Sequence, residues 1–173
     1  MNGATVMFED EVLFQQEGTI RQSWALRGVG FIVYKYPCKR KNKFYGAVTI
    51  DDEPSFLFQK AEWFNSNTFQ QFLEYLLTVF DKIYLILDNV RYHKAKKNEK
   101  FLKENEDRLK LFFLPPYSPD LNAVERIWKE TRKDATHNRY FPSMRGLTRA
   151  VQTCFRIYRN EPRLLNGMVA SFL

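Results

Sequence analysis

Two short apolar segments on either side of a lysine-rich, helix-like segment constrain the fold of this chain most strongly. Ile83 to Leu87 and Leu109 to Phe113 are almost entirely apolar, and Lys94 to Asn105 lies between them. Segments that are apolar on both faces are typical of buried parallel strands. Strand, helix and strand in this order predict two parallel neighbours joined by a right-handed crossover. The sequence therefore predicts an α/β fold.

Three more strands are predicted before this unit. Ala4 to Asp10 alternates between two faces, with Asp10 continuing the apolar face. Phe44 to Ile50 and Ser55 to Glu62 flank a short acidic turn, and this spacing predicts an antiparallel hairpin.

Helices are predicted from apolar residues at helical spacing and from their capping residues. Asn67 is expected to cap a helix that reaches Phe80. A later helix is expected to begin with Ser118 as N-cap and to run to about Lys133, and a final helix begins at Ser143.

The length of the chain sets the domain organisation. With 173 residues, the chain is long enough for one well-packed domain and too short for two comfortable ones, so we expect a single domain over residues 1–173. Residues 15–43 form a loop-like insertion between the first two strands, with Trp24 and a basic run at 39–43.

Carboxylates stand at three informative positions. Asp88 follows a buried strand, where functional groups of α/β sheets collect, and Asp10 extends the first strand toward the same rim. Glu125 lies at the border of a helical apolar stripe. That stripe consists of Leu121, Val124, Trp128 and Thr131.

These three carboxylates predict a divalent cation site if they meet. Carboxylates around one point repel unless a cation neutralises them, and their hard oxygens suit Mg²⁺ or Mn²⁺. Two such ions can activate water and stabilise a leaving oxygen in phosphodiester hydrolysis. Taken singly, an Asp-Asn pair after a strand is often a turn, and a helical glutamate is usually solvated.

The same segments carry a family resemblance. Leu85 to Asn89 with His93, and Leu114 to Asn122 with Glu125 and Trp128, resemble the catalytic core of mariner-superfamily DDE transposases, and most closely the bacterial insertion-sequence members. The opening Phe8 to Glu11, with Trp24 and Gly28, is similar to the family's first catalytic segment and favours Asp10. Ala123 stands where most members have proline.

The resemblance implies a ribonuclease H-like fold with a mixed five-stranded sheet flanked by helices. It implies that Asp10 bridges two Mg²⁺ or Mn²⁺ ions, that Asp88 binds one, and that Glu125 binds the other and orients water. The implied activity is cleavage of DNA at transposon ends, followed by transfer of the freed 3′-hydroxyl to target DNA. Family members carry helix-turn-helix modules before this core, so a separate helix-turn-helix protein is an expected partner. Kinship with the family also implies a homodimer.

Supporting and DNA-binding residues are expected around this centre. Asn89, His93 and Asn122 can orient the carboxylates, or they can simply satisfy turns and helix ends. Residues 88–173 carry 18 Lys/Arg against 10 Asp/Glu, whereas residues 1–87 carry 9 against 10, which indicates a polyanionic partner for the second half. The DNA-binding candidates, for which a solvated helix face is the alternative, are Arg91, Lys94, Lys97, Arg126, Lys129, Arg132 and Lys133.

Several other classes of protein are disfavoured. Cys38 and Cys154 are isolated, which argues against a disulfide framework or a structural zinc site, and no apolar run is long enough for a membrane span. We expect an intracellular, cytoplasmic protein. Two functional alternatives remain at this point: a catalytically inert DNA-binding protein derived from a transposase, and a non-transposing nuclease of the same fold.

Overall fold

A computed structural model describes residues 3–17, 19–22, 24, 26–28, 32–34, 37–116 and 118–172. The strands are β1 (Thr5–Gln15), β2 (Lys41–Thr49), β3 (Phe56–Ala61), β4 (Ile83–Leu87) and β5 (Leu109–Phe113). The α-helices are α1 (Ser66–Val79), α2 (Lys96–Glu104), α3 (Ala123–Thr131), α4 (Met144–Asn160) and α5 (Pro162–Val169).

The strands form one mixed five-stranded sheet in the order β3-β2-β1-β4-β5. The N-terminal strands pair antiparallel, β1 with β2 and β2 with β3, whereas β4 lies parallel to both β1 and β5. The predicted hairpin, the parallel strand–helix–strand unit and the five-stranded mixed sheet are therefore confirmed.

Helices cover both faces of the sheet. The side chains of β1 point alternately to the two faces, so β1 contributes to a separate hydrophobic core on each face. Met7 packs with α1 residues on one face, where Phe69, Phe72 and Leu76 are fully buried. Val12 and other residues of the opposite register pack against α3, α4 and α5 on the second face. Neighbouring residues within β1 therefore point into different cores.

The start of α1 differs from the prediction. Asn65, rather than Asn67, is the N-cap: its Oδ1 accepts from the backbone N–H groups of Asn67 and Thr68 at 2.9 and 3.1 Å. The Thr68 hydroxyl accepts from the Asn65 N–H at 3.2 Å and completes a capping box. The predicted cap at Asn67 was wrong because Asn65 is the residue that has the extended backbone of an N-cap.

The helix after the proline pair is shorter than predicted at both ends. Ser118 makes no side-chain cap, and Pro119–Leu121 form a 3₁₀ turn before α3 begins after Asn122. At the other end, Arg132–Thr136 form a π-helical turn. Leu121 is 50% exposed, so its assignment to the apolar stripe was wrong. The buried face consists of Ala123, Val124, Ile127, Trp128 and Thr131.

Smaller differences concern other element ends. β1 extends to Gln15 and β2 begins at Lys41, so the insertion is shorter than residues 15–43. A 3₁₀ turn over Arg91–Lys94 precedes α2, and α5 was not predicted. In the described part of the chain, no helix is both long enough and apolar enough to cross a membrane.

Candidate active site

Parallel pairing of β1 with β4 brings the first two predicted carboxylates together. Phe8 is in register with Ile86, so Asp10 and Asp88, each two residues further on, reach the same level. Carboxylate oxygens of Asp10, Glu11 and Asp88 all lie within 4.8 Å of one another. Glu11 was not predicted for the site.

Glu125 approaches from the first turn of α3. Asn122 fixes this turn, because its Oδ1 accepts from the Val124 N–H at 3.1 Å and its Nδ2 donates to the Glu9 carbonyl at 2.9 Å. The cap of α3 is thus also a buried tether to β1. Glu125 lies outside the 4.8 Å group, but it lines the same cavity as Asp10 and Asp88.

The cavity has a volume of about 650 Å³ and opens where β4 ends. Polar, cationic and proline residues share its wall with the three carboxylates. These other lining residues include Asn89, Arg91, Lys94, Pro115, Pro116 and Asn122.

The electrostatics of the cavity favour a bound cation. Burial, followed by the charges of Glu125 and Glu11 and a smaller contribution from Asp88, raises the pKa of Asp10 from 3.8 to about 8. Asp88 Oδ1 is buried and has no hydrogen-bond partner among the described residues. A divalent ion would satisfy that oxygen and relieve the repulsion, so these donors fit Mg²⁺ or Mn²⁺.

Trp128 holds Asp10 from the second core. Its indole Nε1 donates to Asp10 Oδ2 at 3.0 Å, and both groups are buried. The indole can lie against the sheet because Gly46, the β2 partner of Asp10, has no side chain. A Cβ atom at Gly46 would collide with the Trp128 ring. The pattern had assigned Trp128 only to the apolar stripe.

His93 lies behind Asp88 and is 1% exposed. Its Nδ1 is 3.2 Å from the Asp88 carbonyl oxygen, and its Nε2 is 3.0 Å from Glu11 Oε1. The Tyr92 hydroxyl donates to the same Glu11 oxygen. The two residues therefore connect the end of β4 to β1.

Five of the seven predicted cations line one of two cavities. Arg91 and Lys94 line the carboxylate cavity. A second, open cavity of about 1300 Å³ shares Asn122 and Glu125 with the first. Its basic lining residues are Arg21, Arg126, Lys129 and Arg132.

Two predicted cations lie outside both cavities. Lys97 donates to Asn67 Oδ1 at 2.6 Å, and Lys133 pairs with Glu130 at 3.1 Å. Arg21, in contrast, was missed because it belongs to the loop-like insertion, where no helical or strand pattern places its side chain. Its charge in an otherwise loop-like segment was the only available signal.

Comparison with known proteins gives the family. A family model described as DDE superfamily endonuclease matches residues 5–148. A 39 kDa protein of insertion element IS630 from Shigella sonnei is 30% identical over 151 residues, which cover 85% of this chain and 43% of the relative. The chain thus spans less than half the length of that relative.

Solved structures share the fold at low sequence identity. The mariner Mos1 paired-end complex with Mg matches with a TM-score of 0.61 and 18% identity, covering 96% of this chain and 55% of that chain. The catalytic core domain of BIV integrase matches with a TM-score of 0.55 and 14% identity, covering 92% of this chain and 85% of that one. The ribonuclease H-like architecture implied by the resemblance is confirmed by these neighbours. The match over residues 5–148 and the insertion-element relative together confirm the predicted family, and the chain belongs to the DDE superfamily endonucleases as a transposase-like catalytic domain.

Proposed function

We propose that this chain is the catalytic domain of an insertion-element transposase that cuts DNA at transposon ends and joins the freed ends to target DNA. The observation that carries the proposal is the approach of Asp10, Asp88 and Glu125, from two strands and one helix, to a single cavity. Such a set of carboxylates suits two-metal phosphoryl transfer.

Asp10, Asp88 and Glu125 are the proposed ligands of two Mg²⁺ or Mn²⁺ ions. When bound, such ions promote ionisation of the attacking water and stabilise charge on the phosphoryl oxygens. Trp128 is proposed to orient Asp10 through the hydrogen bond that its N–H donates. Asn122 ties the start of α3, and hence Glu125, to β1. His93 supports Asp88 by donating from Nδ1 to the Asp88 backbone carbonyl. Asn89 lines the cavity.

The proposed reaction needs no covalent enzyme intermediate. Water attacks the phosphorus and the P–O3′ bond breaks, which leaves a 3′-hydroxyl and a 5′-phosphate. That 3′-hydroxyl then attacks a phosphodiester of target DNA and displaces its 3′-oxygen. One carboxylate set can serve both steps because only the nucleophile changes. Arg91 and Lys94, which line the cavity, are proposed to neutralise the scissile phosphate.

DNA is proposed to continue from this cavity across the basic lining of the second one, through Arg126, Lys129 and Arg132. Lys97 and Lys133 are proposed only as peripheral phosphate contacts, since they lie outside both cavities. The structural neighbours include Mos1 transposase in a paired-end complex with the left transposon end. By analogy, we propose that two copies of this chain act together and that end recognition uses a helix-turn-helix region or protein.

Cleavage of a labelled DNA duplex carrying the ends of the chain's own element tests the proposal. Purified chain, with its helix-turn-helix partner where one is encoded, should cut near the end in Mg²⁺ or Mn²⁺ and not in EDTA. Asp88→Asn should lower the cleavage rate at least about a hundredfold, because it weakens a metal-ligand set on which the transition state depends. Asp51→Asn, in the exposed turn after β2, is the matched control.

Three outcomes separate the alternatives. Cleavage together with joined target products supports the transposase. Cleavage without joining, under conditions where a supplied 3′-hydroxyl end is present, indicates a non-transposing nuclease. Binding of end DNA without any cleavage indicates an inert DNA-binding protein, and full activity of Asp88→Asn would overturn the assignment of the site.

A further inference from the structure

Glu9 is a buried acid that the proposed reaction does not use. It lies in β1, is fully inaccessible to solvent, and neither of its carboxylate oxygens has a hydrogen-bond partner among the described residues. A buried carboxylate in this state carries a large desolvation cost unless something compensates it. Alternation along β1 turns Glu9 away from the Asp10 side and toward α1.

Two further ligand-type side chains face Glu9 in this position. One oxygen of Glu9, one oxygen of Glu11 and one ring nitrogen of His93 all lie within 4.8 Å of one another. His93 packs on Phe69 of α1, with ring centroids 4.2 Å apart. The three side chains therefore form a group on the α1 side of β1.

The hydrogen-bond partners of His93 indicate which of its ring nitrogens carries the hydrogen. Nδ1 faces the Asp88 carbonyl oxygen at 3.2 Å, and a carbonyl can only accept, so Nδ1 carries a hydrogen. In the neutral ring, Nε2 then presents a lone pair to Glu11 Oε1 at 3.0 Å. Two lone pairs repel at this distance, so either a hydrogen or a cation must lie between them. Donation from the second nitrogen to a carbonyl is also the usual arrangement of a metal-binding histidine.

A proton cannot complete this group. A hydrogen on His93 Nε2 or on Glu11 would satisfy the contact between these two groups, but either one would leave both Glu9 oxygens without a donor. Protonated Glu9 would carry a buried hydroxyl for which the described residues offer no acceptor. One divalent cation would instead serve all three side chains.

We propose that Glu9, Glu11 and His93 form a second metal site, for a dication of the Zn²⁺ class, on the α1 side of β1. The imidazole nitrogen favours such an ion over Mg²⁺, which prefers oxygen ligands and retains several waters. This site goes beyond the proposed function. It shares Glu11 with the Asp10–Asp88 group, but none of its three ligands is a proposed catalytic carboxylate. Its effect would be to clamp β1 to the turn that follows β4.

Zinc binding in the presence of excess Mg²⁺ tests the proposal on the full chain. Mg²⁺ occupies the oxygen-only site, and Zn²⁺ is then measured by metal analysis after dialysis and by titration. Wild type should retain one Zn²⁺ per chain. Glu9→Gln and His93→Gln should each weaken Zn²⁺ binding at least about tenfold. The chain has two histidines, so His137→Gln is the matched control and should leave Zn²⁺ binding unchanged.

Independent readouts keep the test decisive. Zn²⁺ should shift the imidazole nitrogen resonances of His93 and not those of His137, and it should raise the melting temperature of wild type but not of Glu9→Gln. Glu9→Gln removes a buried charge and is expected to stay folded, which thermal unfolding checks. Absence of Zn²⁺ retention by wild type, or unchanged retention by Glu9→Gln, would overturn the site.

The two proposals can fail separately. Asp88→Asn and Glu125→Gln should abolish DNA cleavage while Zn²⁺ is still retained. Loss of Zn²⁺ in Glu125→Gln would show that the ion belongs to the cleavage site instead.

Discussion

Asp10 is held in a position where its charge is unfavourable without a cation. Its pKa is raised to about 8, above the ordinary 3.8, first by burial and then by neighbouring carboxylates. Between these two pH values the folded chain holds a proton that the unfolded chain releases, so stability falls as the pH rises from about 4 to about 8. The same position that suits a metal ligand therefore destabilises the metal-free fold.

Replacing Asp10 should accordingly stabilise the protein while removing its metal response. In EDTA at pH 8, Asp10→Asn should raise the free energy of unfolding by at least about 1 kcal/mol, and the gain should shrink toward pH 4. Mg²⁺ should raise the melting temperature of wild type and leave that of Asp10→Asn unchanged. Denaturant unfolding at several pH values measures this, with Asp51→Asn as control. A destabilised Asp10→Asn protein would contradict the assignment of repulsion at this residue.

We expect Trp128 to position Asp10, because its indole N–H donates to the Asp10 carboxylate. Trp128→Phe keeps most of the ring in the second core but removes the N–H that reaches Asp10. A hydrogen bond to a charged group contributes about 1.5–3 kcal/mol, so the cleavage rate should fall about tenfold or more. The Mn²⁺ concentration for half-maximal cleavage should also rise, which a simple packing defect would not cause. Equal effects from Phe155→Leu, in the same core, would show that packing alone is responsible.

At the scale of elements, the structure joins the two halves of the site through the start of α3. Asn122→Ala should cost about 1 kcal/mol for the lost cap, with an added loss because Nδ2 no longer bonds the Glu9 carbonyl. Cleavage should fall with it, since Glu125 is one turn away. Asn65→Ala removes the cap of α1 and should lower stability similarly without affecting cleavage. Matched unfolding and cleavage measurements on both variants separate the two effects.

The sequence could predict the elements whose signals are local, and the site where strand ends must meet. The approach of Asp10 to Asp88 was predictable because parallel strands share one edge of the sheet, although the family resemblance was needed to favour Asp10 over its acidic neighbours. Glu11 was not predicted, because its partners Tyr92 and His93 come from the turn after β4, far from it in sequence. The cap at Asn122 and the contact of Trp128 with Gly46 likewise depend on tertiary pairing that no local pattern contains.

At the scale of the molecule, part of the excess positive charge of the second half of the chain forms a basic surface next to the carboxylate cavity. Arg126 and Lys129 are exposed on α3 and line the second cavity next to Glu125. Lys100 and Lys103 are equally exposed on α2, but they line neither cavity. The two pairs carry the same charge on helices of similar length, so their comparison separates a DNA track from a general cationic effect.

Removing the first pair should weaken the salt dependence of DNA binding, whereas removing the second pair should not. Each phosphate contact contributes about 0.9 to the slope of log affinity against log salt concentration. Arg126→Gln with Lys129→Gln should therefore reduce the slope by about 2, whereas Lys100→Gln with Lys103→Gln should leave it unchanged. Fluorescence anisotropy with end-containing duplex over a range of salt concentrations measures both. If both double variants lower the slope equally, net charge and not this surface attracts DNA, and the path across α3 is wrong.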